Sequence, residues 1–93
     1  MPKITPLTVI HLEVARHLEF LSRSPAYKGY EIISWSTGGQ ETIQAASDLS
    51  DRGFLGLETG QVGLQPMVTM SIARYRVPEL LIFVEQSLSE AAA

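Results

Sequence analysis

The side chains that could do chemistry in this chain are few and scattered. Its two histidines, His11 and His17, stand six residues apart. That spacing turns them to different sides of a helix, whereas two metal ligands on one face need a four-residue step. The expectation is two histidines at the borders of an apolar stripe, with Glu13 four residues ahead of His17, and neither is assigned a zinc or general-base role. Asp48 and Asp51 lie three apart on one helical face and with Glu41 could gather a divalent ion, but a solvated acidic face is the commoner state of such a group. Ser36-Thr37-Gly38-Gly39 offers glycines ahead of a helix start, a setting that lets amides approach an anion. It lacks the lysine and spacing of a phosphate-binding loop, so a bare helix cap is the better account. The serines follow no nucleophile-elbow pattern and read as turns and caps. Tyr27, Tyr30 and Trp35 could stack on bases or anchor a partner, yet in so small a chain they are expected to complete the core.

Without cysteine, disulfides, thiolate zinc sites and a cysteine nucleophile are excluded together. No catalytic residue, metal or cofactor is therefore expected. A length of 93 residues fits a single domain over 1–93, and 45% apolar with 18% charged residues is a globular composition. The formal charge of −3 predicts no whole-chain attraction to nucleic acid or anionic lipid, so such binding would need a local patch. The start of the chain lacks a signal-peptide pattern, and the longest strongly apolar run, Leu80 to Val84, is too short to cross a bilayer. The expectation is a cytoplasmic protein without membrane contact.

These side chains must be positioned by elements that the apolar spacing makes visible. Thr5-Pro6 suits a helix start, and Leu7, Ile10, Val14, Leu18 and Leu21 form a stripe opposite Glu13, Arg16 and Glu19, giving a helix over about 6–22. Ser24-Pro25 ends it. Tyr27 to Trp35 suits a strand by composition, while Ile32 and Trp35 are spaced as helical neighbours; the reading taken is a short helix. Thr37 and Gln40 have capping-box spacing for a helix that buries Ile43, Ala46 and Leu49, turns Gln40, Glu41, Gln44, Ser47, Asp48 and Asp51 outward, and stops at Gly53. Phe54 to Glu58 reads as a strand, residues 59 to 66 as a long loop, and Met67 to Tyr75 as a second strand in which Val68, Met70 and Ile72 alternate with Thr69, Ser71 and Ala73. Pro78 opens a last helix, with Leu81, Val84 and Leu88 as its stripe and Leu80 and Phe83 widening it.

The order helix, short helix, helix, hairpin, helix resembles the winged helix-turn-helix family. The run from Ala46 to Leu55, with its leucine, Arg52-Gly53 and Phe54-Leu55, is similar to that family's junction between third helix and wing. The resemblance covers about residues 6 to 75 and implies a winged-helix-like, mainly α domain with a β-hairpin (α+β): three helices, a two-stranded wing and a C-terminal helix. It also implies duplex-DNA binding by a small regulatory protein, with Gln40, Gln44 and Ser47 on the groove-facing helix and Arg52, Arg74 and Arg76 near phosphates. Against this, Glu41, Asp48 and Asp51 would approach a polyanion. The alternative is a non-catalytic protein-interaction module or adaptor using the acidic helix and the apolar last helix against protein partners. Because Leu80 to Val84 carry apolar side chains on nearly every side of a helix, residues 77–90 are read as a homodimerisation helix, with Leu80, Leu81, Phe83, Val84 and Leu88 at its interface.

Overall fold

The computed structural model describes residues 6–92, with side chains described through residue 90. Of three α-helices, α1 (Val9–Arg23) and α2 (Gln40–Asp51) pack on one face of a three-stranded antiparallel sheet of β1 (Ile32–Thr37), β2 (Gly56–Val62) and β3 (Gln65–Ala73), and α3 (Val77–Ala92) packs on α1. Single turns of 3-10 helix at Pro25–Tyr27 and Arg74–Arg76 lead into β1 and α3. The class is α+β, as expected; the sheet has three strands where a two-stranded wing was expected, so strand takes a larger share than a mainly α domain implies.

The stripe expected on α1 is the one it buries. Val14 and Leu18 are fully enclosed, while Leu7, Ile10 and Leu21 pack at the margin. Its cap differs from expectation: Thr5 lies outside the described residues, Pro6 and Leu7 precede the helix, and Thr8 is the N-cap. The Thr8 side chain accepts from the Ile10 amide, and His11 takes the place that glutamate or glutamine usually fills in a capping box.

Residues 32–37 form a strand, not the expected short helix. β1 pairs with β3 in unbroken register from Ile32 opposite Ala73 to Thr37 opposite Val68. This pairing also holds Thr37 extended, so the expected Thr37–Gln40 capping box does not form; Gly39 is the N-cap of α2, without a side-chain bond. At the far end of α2, Gly53 takes the left-handed φ of +85° that its position as helix stop required.

The hairpin has no long tip. β2 and β3 stay paired up to Val62 opposite Gln65, and only Gly63 and Leu64 turn the chain, with φ of +64° at Gly63 suiting a two-residue turn that opens on glycine. Pro66 therefore lies within a strand, and its missing N–H explains how. Antiparallel partners alternate between bonded and non-bonded pairs. The bond from the Arg74 amide to the Glu31 carbonyl fixes the phase, so even-numbered residues of β3 bond toward β1 and odd-numbered ones toward β2. Position 66 faces the β1 side beyond Thr37, where that strand has ended, and no ladder bond is lost.

Facing partners share a side of the sheet, so Ile33, Trp35, Val68, Met70, Ile72 and Leu57 face the helices. The opposite face carries Ser34, Ser36, Thr69 and Ser71, with the Ser36 and Thr69 hydroxyls bonded at 2.7 Å. No described helix is long and apolar enough to cross a membrane.

Candidate functional site

The residues expected to meet DNA divide between α2 and the turn that follows β3. Gln40 and Gln44 are exposed on α2 and Ser47 is half-buried, with Glu41 and Asp51 exposed beside them. Arg74 sits after β3 and points into the protein. Its Nε donates to the Tyr30 carbonyl at 2.8 Å, Nη1 to Ser22 at 2.6 Å, and Nη2 to Tyr27. Its five-donor fork thus ties the end of α1 to the segment entering β1. Arg76 donates to the Gly53 carbonyl at 2.9 Å, pairs with Glu79 at 3.5 Å and lies over the Phe54 ring. Arg52, the C-cap of α2, is half-buried.

Asp48, expected to face outward, is buried, and so is His11, which helical spacing alone had set at the border of the stripe. The packing of α1 on α2 brings His11 Nε2 within 3.1 Å of Asp48 Oδ2, while Gln44 Nε2 donates to Asp48 Oδ1 at 3.4 Å. The Thr8 amide donates to His11 Nδ1 at 3.0 Å. Since an N–H requires a lone pair on Nδ1, the network assigns the ring proton to Nε2, where it is donated to the carboxylate. Thr8 Oγ1 also lies 3.1 Å from Nδ1, so hydroxyl, imidazole and carboxylate stand in a row at the edge of a shallow hollow of about 240 Å³. Their order is that of a nucleophile, base and orienting acid, but the lone pair such a base needs is taken by the backbone amide. What the row does is hold the start of α1 against α2. The pairing was beyond sequence reading because the two residues are 37 positions apart.

The aromatic residues expected in the core divide. Tyr27 and Trp35 are half-buried against it; the Tyr27 hydroxyl donates to the Ser34 carbonyl at 2.6 Å and Trp35 lies 4.1 Å from the His17 ring. Tyr30 instead stands 60% exposed, its ring edge-on to Tyr27. With Ile32, 51% exposed, and Tyr75, 83% exposed, it surrounds an open groove of about 670 Å³ between residues 29–32 and 73–75. Arg74 lines this groove with each of its three guanidinium nitrogens bonded to a backbone carbonyl, and the groove otherwise presents aromatic and aliphatic surface with one exposed carboxylate, Glu31.

Leu80 and Val84, expected at a dimer interface, are fully buried in the chain's own core. Leu81, Phe83 and Leu88 are half-buried against that core, with the Phe83 ring tilted against Phe54 at 4.7 Å, and Ile82 is a large apolar residue of α3 that faces outward. The stripe that seemed to need a second surface packs on α1. Among the described residues no group of three or more metal-ligating side chains is placed to hold an ion. No family model matches the chain, and neither a curated protein nor a solved structure matches it.

Proposed function

We propose that this chain is a non-catalytic protein-interaction module that docks an extended apolar segment of a partner protein in the groove between residues 29–32 and 73–75. The observation that carries the reading is the exposure of Tyr30, Ile32 and Tyr75 together around one concavity, over an arginine whose three nitrogens each bond a backbone carbonyl. Tyrosines offer large, stiff contact area and are enriched at protein interfaces. Ile32 adds a backbone reason for an extended ligand: as a non-bonded partner of Ala73 it turns its N–H and C=O away from β3, toward an incoming strand. Glu31 on the rim favours a basic residue in that segment.

Against the DNA-binding reading, Arg74 and Arg76 bond within the fold and Glu41 and Asp51 flank the glutamines of α2. The deciding experiment compares proteins cross-linked in cells to the wild-type chain and to a Tyr30→Ser/Tyr75→Ser variant, beside a salt series with random duplex DNA. The expected result is a protein lost on substitution and no DNA binding at low salt. An unchanged set of cross-linked proteins, with DNA bound at low salt and released steeply as salt rises, would return the regulator reading.

A further inference from the structure

We infer that β2 is the docking edge for a second copy of this chain, the two β2 strands pairing antiparallel about Thr59 to join both sheets into one of six strands. Sheet order β1-β3-β2 leaves β2 at an edge. Its free backbone groups follow from the hairpin. The pair closing a two-residue turn, Val62 with Gln65, is a bonded pair, so Leu57, Thr59 and Gln61 turn their N–H and C=O groups away from β3. The phase agrees with the Arg74–Glu31 bond on the other side of β3.

The two edges of the sheet are not equivalent. On β1 the Tyr27 hydroxyl occupies the outward Ser34 carbonyl, in the middle of the strand, which obstructs a full-length partner. β2 is seven residues long, holds an unbroken register without a bulge, and carries no Lys, Arg or Pro, the devices by which exposed edges usually repel a further strand. A strand is the chemical complement of such an edge, and this strand complements itself. With Thr59 on the twofold axis, the outward-bonding residues meet their own kind: Leu57 faces Gln61 of the second copy and Thr59 faces Thr59, giving about six main-chain hydrogen bonds. The strand's one charge, Glu58, then faces Gly60 of the second copy, leaving the two Glu58 side chains as diagonal neighbours about 7–8 Å apart and not as direct partners. The same register covers apolar surface at the hairpin tip. Val62, 68% exposed, comes opposite Gly56 of the second copy, and Leu64, 99% exposed, reaches the level of its half-buried Phe54.

This surface is separate from the groove, so it stands or falls independently of the proposed function. Sedimentation of the full chain across a concentration series is expected to give a particle of twice 10.2 kDa. Thr59→Pro removes the central outward donor without touching the β3 ladder and is expected to give a folded monomer. Leu64→Ser is expected to raise the dissociation constant on the order of fivefold by uncovering the tip. Since the chain has no cysteine, Thr59→Cys carries a single thiol that meets itself on the axis. Mild oxidation should link it into a covalent dimer far faster than a Ser36→Cys control on β1, even if the proline variant fails to fold. A wild-type monomer at the highest soluble concentration, a folded Thr59→Pro dimer, or equal cross-linking of the two cysteine variants would overturn the inference.

Discussion

Two polar anchors organise this protein, and they leave opposite surfaces behind. At the first, Thr8, His11, Gln44 and Asp48 join α1 to α2 and spend their hydrogen bonds on one another, with His11 and Asp48 both buried. At the second, Arg74 bonds the carbonyls of Ser22, Tyr27 and Tyr30, yet the residues around it, Tyr30, Ile32 and Tyr75, remain exposed. The chemistry-bearing groups are thus turned inward and apolar groups outward. Sequence types alone suggest the reverse, and this inversion is why the groove, and not the imidazole–carboxylate row, is the better candidate for binding.

If the first anchor is structural, breaking it should cost more than any change at the groove. Asp48→Ala leaves the buried His11 Nε2–H without its acceptor, and removal of one member of a buried hydrogen-bonded pair is expected to lower stability by about 2–4 kcal/mol. Urea unfolding at neutral pH measures it; a loss too small to resolve would mean that water replaces the carboxylate and that the pair is no clamp. Arg74→Lys comes next. An ammonium cannot fork onto three carbonyls from one position, and since Arg74 is half-buried, the expected loss is about 1–2 kcal/mol. Amide exchange should rise at residues 28–32 while α2 keeps its protection, which separates the second anchor from the first.

What was legible in the sequence is what local spacing decides. Val14 and Leu18 on α1, the alternation of Val68, Met70 and Ile72, and Gly53 as a stop all follow from periods of 3.6 or two and from one backbone conformation. What was illegible depends on partners far along the chain. Ile32 to Thr37 becomes a strand because β3 supplies its ladder from residues 68 to 73, and Pro66 is tolerated because β1 ends short of it. Asp48 goes inward because His11 waits there, and Arg74 is turned from a presumed phosphate ligand into a brace by three carbonyls that no motif announces. Of the candidate surface, the tyrosines were visible as types, but their division between core and exterior was not.

The smallest effect on folding should come from the residue with the largest effect on binding. Tyr75 is 83% exposed and follows β3 in a single 3-10 turn whose backbone bonds do not involve its ring. Tyr75→Ser is therefore expected to shift stability by no more than about 0.5 kcal/mol, the range of an ordinary surface substitution. In the same protein it should remove an aromatic contact from the groove, and loss of such an interface anchor weakens binding by about 2 kcal/mol or more. Thermal or urea unfolding together with capture of the cross-linked partner reads both numbers. A Tyr75→Ser chain that is strongly destabilised would make the tyrosine part of the second anchor, and the contrast between an inward polar clamp and an outward apolar groove would then describe two parts of one core.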